Sequence, residues 1–174
     1  ALYVSFFPQL VAGTIERSTR LLPQFKQINE FDYLRLKNGF LLMLWGLFKK
    51  IVIADRLAVV VNTVYNTPTN YEGIVLIIAT IFFAFQIYCD FSAYSDIAIG
   101  ASKIMGYDLM KNFNRPYFSK SISEFWRRWH ISLGSWFRDY LYFSLGGNKG
   151  GKYKWYKNIM IVFLISGLWH GANW

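Results

Sequence analysis

Two histidines are the side chains in this sequence best suited to proton transfer. His130 follows FWRRW and His170 lies in SGLWHGANW, and both segments are apolar. Imidazole titrates near neutral pH, so either ring could act as a general base that takes the proton from an attacking hydroxyl group. A histidine on an apolar helix can instead be structural, with its ring hydrogen-bonded to a neighbouring helix. The residue types alone leave both interpretations open.

A glycine- and lysine-rich segment, residues 146–153 (GGNKGGKY), is a second candidate for chemistry. Gly151 and Lys152 stand in register with a phosphate-binding loop, but Tyr153 replaces the serine or threonine that would bind magnesium. We therefore expect a turn whose lysines face anionic lipid headgroups, with the phosphates of a nucleotide such as coenzyme A as the alternative. We predict no metal site. Cys89 is the only cysteine, which excludes a cysteine-rich metal centre and an intrachain disulfide.

The composition favours a membrane protein. Hydrophobic residues make up 54% and charged residues 17% of the chain, against about 45 to 50% and about 25% in soluble domains. The net charge of +9 would fit nucleic-acid binding, but the basic residues are interleaved with long apolar segments instead of forming a separate face. We predict membrane lipid as a partner and no nucleic acid.

The clearest membrane-spanning helix is predicted over residues 73–89. These 17 residues carry no charge and would form a helix about 25 Å long, close to a hydrocarbon core of about 30 Å. Asp90, Ser92 and Asp96 follow directly. They are either a helix end that returns to water or the polar wall of a buried tunnel.

A second apolar segment, residues 39–61, is interrupted by charged residues. Lys49, Lys50, Asp55 and Arg56 would each cost several kcal/mol at a bilayer centre unless paired or hydrated. We therefore predict two pieces, one embedded and one interfacial or packed inside. For Asp55 we expect a structural ion pair instead of a catalytic role.

The two histidines fall on two further predicted helices. Large apolar residues recur at three- and four-residue steps over residues 125–141, which predicts an amphipathic helix at the cytoplasmic interface with a break near Gly134. His130 lies on its apolar side. An apolar helix is predicted over residues 158–174, and it carries His170 to membrane depth.

Charge distribution predicts the orientation of the chain. The stretch from Lys103 to Lys157 has 11 basic and 3 acidic residues, so it carries +8 of the net +9. Because basic residues accumulate on the cytoplasmic side of membrane proteins, we expect this stretch to be cytoplasmic.

We predict an all-α fold, a multi-pass transmembrane helical bundle with interfacial or re-entrant helices. The sequence begins at Ala1 without a methionine and stops at Trp174 inside an apolar run. We therefore expect a single partial membrane domain over residues 1–174, truncated at both ends.

Several motifs in a fixed order resemble a known family. The longest is NFNRPYFSKSISEFWRRWHISLGSWFRDYLYFSLGG, which is followed by GLWHGANW. YVSFFPQLVAGTIERS, LLPQF and YCDFSAYSDIAIGASKIMGYDL extend the similarity upstream to Tyr3. Together they resemble the bacterial membrane-bound O-acyltransferases, most closely the alginate O-acetylation branch. Two positions depart from the family pattern: Thr14 stands where proline is expected, and Ala93 stands where glycine is usual.

The resemblance implies a reaction and roles for both histidines. His170 matches the near-invariant histidine of the family, and His130 matches a second active-site position held by histidine or asparagine. We expect His170 to activate an acceptor hydroxyl and His130 to position a reactant. The acyl donor would be acetyl-coenzyme A or another acyl thioester, consumed as a substrate, with no bound cofactor and no metal.

The resemblance also implies a setting. The resemblance predicts the ring of helices typical of membrane-bound O-acyltransferases (MBOAT), which surrounds a thinned centre with a tunnel. This ring would lie in the bacterial inner membrane. An acetyl group would pass from a cytoplasmic donor toward hydroxyls of an extracytoplasmic polysaccharide or cell-wall acceptor, directly or through an extracytoplasmic acetyltransferase partner. The FRDYLY and LGG segments place the chain nearer to relatives that acetylate alginate, other exopolysaccharides or peptidoglycan than to those that D-alanylate teichoic acid.

Two other function classes remain open. Charges and histidines in apolar helices also occur in transporters and channels, which would show solute flux without covalent acyl transfer. A non-catalytic assembly subunit could bind lipid or another membrane protein through the aromatic, basic interfacial helix, and His170 would then be dispensable. The joint occurrence of FWRRWH and LWHG in that order favours the acyltransferase.

Overall fold

A computed structural model describes residues 2–9 and 14–171 of the chain. Over these residues the secondary structure is helical throughout, with no β-strand, in agreement with the predicted all-α class. The chain divides into two compact units, residues 1–112 and residues 113–174.

The first unit is built mainly from two long helical segments. Its helices and short helical turns are α1 (Leu2–Ser5), a 3-10 turn (Phe7–Gln9), α2 (Ser18–Gln24), α3 (Tyr33–Phe48), a π-helix (Lys49–Ala54), α4 (Asp55–Asn66), a 3-10 turn (Pro68–Asn70) and α5 (Gly73–Ile104).

The segment from α3 to α4 and helix α5 form an antiparallel hairpin. Phe48, which precedes the π-helix, and Asp55, which follows it, both have right-handed helical backbone angles, so the chain does not break between α3 and α4. The two pieces predicted within residues 39–61 are therefore joined into one continuous helix with a π-helical centre. Near the connecting turn, the Tyr65 hydroxyl donates to Thr80 Oγ1 at 3.1 Å.

Small residues let α3 and α5 approach closely. A Cβ atom on Gly39 would lie 2.8 Å from the Gly100 carbonyl oxygen, and one on Gly46 would lie 2.8 Å from the Ala93 carbonyl oxygen. Helices in lipid gain little from the hydrophobic effect, so close backbone approach at small residues is a main source of their association. Ala93, the departure from the family's usual glycine, is fully buried at this crossing.

Helix α5 is longer than the sequence predicted. It runs through 32 residues, Gly73–Ile104, which is about 48 Å. Among the described residues it is also the one helix long and apolar enough to cross a bilayer. The interpretation of Asp90, Ser92 and Asp96 as a helix end is therefore wrong, because all three lie inside α5.

The polar residues inside α5 are paired with the lysines of the π-helix. Lys49 is 7% exposed, and its Nζ atom lies 2.7 Å from Asp96 Oδ2 and 2.8 Å from Ser92 Oγ. Lys50 Nζ lies 2.7 Å from Asp90 Oδ1 and 2.8 Å from Asp55 Oδ1.

These pairs offset the cost of charge in the middle of an apolar hairpin. They confirm the structural ion pair predicted for Asp55, with Lys50 as its partner.

The N-terminal segment of the first unit is held by a buried glutamate. The Thr14 hydroxyl donates to Glu16 Oε1 at 3.2 Å, and the same carboxylate accepts a hydrogen bond from the backbone N–H of Met110. Arg20 adds an ion pair to Asp108 at 2.6 Å. Thr14 is buried, so the residue that replaces the expected proline supplies a hydrogen bond that proline could not.

The second unit contains both histidines. Its elements are a 3-10 turn (Pro116–Phe118), α6 (Ile122–Arg128), α7 (Ile131–Trp136), a π-helix (Phe137–Tyr142) and α8 (Gly151–His170). The helix predicted over residues 125–141 is broken, as expected, but the predicted position near Gly134 is wrong, since the break falls between α6 and α7 and Gly134 lies within α7. Helix α8 begins seven residues before the predicted start at residue 158.

Candidate active site

Helix α6 begins at a variant of the capping box, in which the glutamate accepts from the residue before the N-cap. The Ser121 hydroxyl accepts from the Glu124 backbone N–H at 3.1 Å, and the Glu124 carboxylate accepts from the Lys120 backbone N–H at 2.8 Å. Arg128, one turn later, forms an ion pair with the other oxygen of Glu124. A cap of this kind contributes about 1 kcal/mol, which matters for a helix of only 7 residues.

Four aromatic rings hold the C-terminal end of α6. Trp129 stacks on Phe125 with centroids 5.6 Å apart and meets the edge of Phe113 at 5.0 Å. Tyr117, from the preceding 3-10 turn, stacks on Phe125 at 6.3 Å. Aromatic pairs of this kind add about 0.5 to 1.5 kcal/mol each beyond area burial. Since His130 directly follows Trp129, this cluster also fixes the position of the His130 backbone.

His130 lies at the break between α6 and α7 and has a left-handed backbone conformation. Its φ is +43° and its ψ is +55°. Most residues with a Cβ avoid this region, but asparagine, aspartate and histidine adopt it several times more often than other non-glycine residues. The conformation ends α6, turns the chain and leaves His130 as the N-cap residue of α7.

The structure brings the two predicted site residues together. The ring centroids of His130 and His170 lie 6.5 Å apart, and the ring planes meet at 76°. The sequence placed these residues forty positions apart on different helices and left their relation open. At this distance both rings can contact the same small reacting group.

A backbone carbonyl fixes the tautomer of His170. Its Nδ1 atom lies 2.7 Å from the carbonyl oxygen of Ser166, one turn earlier in α8. A carbonyl oxygen can only accept, so Nδ1 must carry the proton in this hydrogen bond. In the neutral ring Nε2 then holds the free electron pair and is the nitrogen that can take a proton from a hydroxyl.

His130 is uncharged near neutral pH. Partial burial of the ring, and secondarily the charge of a protonated His170, lower the pKa of His130 to about 4 from an ordinary value of about 6.5. His130 lies between two helices of 7 and 6 residues, which are too short to cross a bilayer. A neutral imidazole beside His170 can donate or accept a hydrogen bond without opposing protonation of the second ring.

The glycine- and lysine-rich segment forms a turn over residues 146–150, as predicted, while its last three residues begin α8. Asn158 of α8 is buried, and its Nδ2 donates to the carbonyl oxygens of Leu145 and Gly147 at 3.2 and 2.9 Å. Gly150, with φ of +109°, forms the N-cap of α8. The regular element before the turn is the π-helix Phe137–Tyr142, whereas a phosphate-binding loop follows a strand.

Sequence reasoning missed two features that support the histidines. The capping box was readable as Ser121 followed by Glu124 three residues later. The Ser166 carbonyl had a weaker signal, because every residue inside an α-helix has a carbonyl four positions earlier and the sequence does not say which side chains fold back onto it.

Comparisons with known proteins agree over the entire chain. The family model described as MBOAT, membrane-bound O-acyltransferase family, matches residues 1–174. "Probable alginate O-acetylase AlgI" of Azotobacter vinelandii is 45% identical over 177 residues, covering 100% of this chain and 34% of the relative. "Peptidoglycan O-acetyltransferase" of Helicobacter pylori is 44% identical over 177 residues, covering 100% and 33%.

A more distant relative gives the contrast that the FRDYLY and LGG segments predicted. "Teichoic acid D-alanyltransferase" of Bacillus subtilis is 33% identical over 183 residues, covering 97% of this chain and 45% of the relative. The chain spans about a third of the length of the O-acetylating relatives, at 34% and 33%. With a family model that matches every residue, the chain belongs to the membrane-bound O-acyltransferase family.

Proposed function

We propose that this chain contributes the catalytic histidines of an enzyme that transfers an acetyl group from a thioester to hydroxyls of an extracytoplasmic polysaccharide. The observation that carries the proposal is the meeting of His130 and His170 at 6.5 Å, with the tautomer of His170 fixed by a carbonyl. The relatives named as alginate and peptidoglycan O-acetylating proteins support acetyl over D-alanyl as the group transferred.

In this mechanism His170 is the general base. The acceptor oxygen attacks the thioester carbonyl carbon while Nε2 of His170 takes the hydroxyl proton. The carbon–sulfur bond then breaks, and the leaving thiolate takes the proton back from the imidazolium. The Ser166 carbonyl, which accepts from Nδ1 throughout, stabilises the imidazolium between the two steps.

His130 positions a reactant in the same mechanism. As a neutral ring it supplies a hydrogen bond to the donor or the acceptor without competing for the transferred proton. Holding both reactants between two fixed rings lowers the barrier through proximity and orientation. The thioester, which we propose is acetyl-coenzyme A, is consumed as a substrate.

The cellular setting belongs to the same proposal. The chain would form part of a multi-pass ring of helices in the bacterial inner membrane, with the Lys103 to Lys157 stretch on the cytoplasmic side where the donor is made. The acyl group would leave on the opposite side, to the polymer directly or to an extracytoplasmic acetyltransferase. The +8 charge of that stretch supports this orientation.

The test uses the full-length protein in membranes. Transfer of radiolabelled acetyl from acetyl-coenzyme A into polymer or partner protein is measured for wild type and for His170→Ala at matched amounts of folded protein. Loss of label in the variant supports the proposal. Equal labelling removes His170 from catalysis. If wild type transfers nothing and instead catalyses solute flux, the transporter alternative replaces the proposal.

A further inference from the structure

We propose that Trp126 is a positioning residue, which sets the rotation of α8 through contact with Phe163 and thereby turns His170 toward His130. The catalytic consequence of this role rests on the proposed function, whereas the contact between the two rings does not depend on it. The indole of Trp126 meets the ring of Phe163 edge-on, with centroids 5.6 Å apart and ring planes at 76°.

Helical spacing connects this contact to the orientation of His170. Phe163 precedes His170 by seven residues, which is nearly two full turns, so the two side chains share one face of α8. Ser166, whose carbonyl holds His170 Nδ1, lies on the same side. A rotation of α8 by a single residue, about 100°, would therefore do two things at once. It would turn His170 away from His130, and it would break the contact between Phe163 and Trp126.

Trp126, the other partner of the contact, packs against the aromatic cluster at the end of α6. Trp126 meets the edge of Phe125 at 5.3 Å, and Phe125 stacks on Trp129 at 5.6 Å. Trp126 also precedes His130 by four residues. One indole thus connects the aromatic cluster that fixes His130 to the helix that carries His170.

The contact lies at the surface of the described chain, which makes the proposal testable. Trp126 is 48% exposed and Phe163 is 49% exposed. Truncation of a half-exposed ring leaves no enclosed cavity, so we expect the variants to fold. Leu164, which is next in the chain and 68% exposed, points to a different side of α8 and gives a matched control.

The competing role for Trp126 is that of an interfacial anchor, since tryptophan is enriched at the headgroup level. An anchor acts through lipid and has no special relation to Phe163. The two roles differ in how substitutions combine, because two changes that break one contact cost little more together than either does alone.

The experiment uses the full-length protein in lipid nanodiscs, with initial rates of acetyl transfer measured against acetyl-coenzyme A concentration. We expect Trp126→Ala and Phe163→Ala each to lower kcat about tenfold with KM nearly unchanged, as a small misalignment of reacting groups does. The double variant should match the single variants, and Trp126→Phe and Leu164→Ala should stay near wild type. Additive losses, or equal losses in Leu164→Ala, overturn the proposal.

A second readout does not depend on transferase activity. The His130 imidazole is followed by 15N NMR in the same nanodiscs, with its signal assigned by its absence in His130→Gln. In Trp126→Ala and Phe163→Ala we expect the His130 titration midpoint to rise, because His170 no longer stands beside the ring, while Leu164→Ala leaves it in place. An unchanged midpoint in both alanine variants contradicts the positioning role. Absence of acetyl transfer in wild type contradicts the proposed function alone.

Discussion

His130 and His170 lie with ring centroids 6.5 Å apart, although forty residues and the turn before α8 separate them in the chain. A different local feature positions each ring. A left-handed backbone turns the chain at His130, and a carbonyl one helical turn earlier holds the ring of His170.

Substitutions at His130 should separate its backbone role from its ring. His130→Val places a β-branched residue at φ of +43°, where the strain is about 1 to 3 kcal/mol, and it should lower the thermal midpoint. His130→Gly fits the same backbone and should keep the midpoint near wild type while acetyl transfer falls. Thermal unfolding by intrinsic fluorescence and transfer of labelled acetyl measure the two effects. Equal stability of the valine and glycine variants would contradict the conformational role.

The same position explains which polar substitution is tolerated. Asparagine adopts the left-handed region readily and can still offer a hydrogen bond. His130→Asn should therefore keep full stability and more acetyl transfer than His130→Ala. If alanine and asparagine variants transfer equally, the side chain of residue 130 does not contact a reactant.

The charge state of His130 gives a pH prediction. Its folded-state pKa of about 4 lies below the ordinary value of about 6.5, so between these values the unfolded state binds more protons than the folded state. The His130 contribution to stability is then present above pH 6.5 and is lost as pH falls toward 4. Thermal midpoints from pH 4 to pH 7 should show this slope, and His130→Gln should reduce it.

His170 supplies part of that shift through its charge. In His170→Gln the His130 titration midpoint should move upward but stay below the ordinary value, because partial burial, the larger cause, remains. Imidazole 15N chemical shifts measure the midpoint. A midpoint that does not change would mean that the two rings are not close in the full-length protein.

Close packing of α3 on α5 predicts a severe effect at Gly46. A Cβ there would lie 2.8 Å from the Ala93 carbonyl oxygen, so Gly46→Val must push the helices apart. We expect a loss of about 1 to 3 kcal/mol, seen as a lower thermal midpoint and a lower yield of folded protein. Gly73→Ala is the matched control, because a Cβ at Gly73 meets nothing within 4 Å.

The ion pair of the buried Lys49 with the partly buried Asp96 predicts non-additive substitutions. Lys49→Met leaves Asp96 inside the hairpin without its cation, and Asp96→Asn leaves Lys49 without its carboxylate, so each should cost about 3 to 5 kcal/mol. The double variant should cost less than the sum of the two. Thermal unfolding measures the coupling, and Lys103→Met, at an exposed lysine of the same hairpin, should have little effect. Strict additivity would show that the pair does not couple.

Sequence alone determined the properties that depend on residue type and local spacing. The charge-free run before Asp90 required a helix, because a backbone in lipid must satisfy its own hydrogen bonds. Two histidines in apolar segments were the natural candidates for proton transfer, and the ordered FWRRWH and LWHG motifs indicated the family that the comparison then confirmed.

Tertiary structure decided which of these residues lie close together. Apolar periodicity could not show the break at His130, because the same spacing of large residues continues through α6 and α7 while the backbone angles change at one residue. Nor could it show that α5 continues past Asp90 and Asp96, since their charges are paired with lysines that lie forty or more residues away in the chain. Helical spacing specifies the face on which a side chain lies, whereas the approach of His130 to His170 depends on how two helices pack, and only the folded chain determines that.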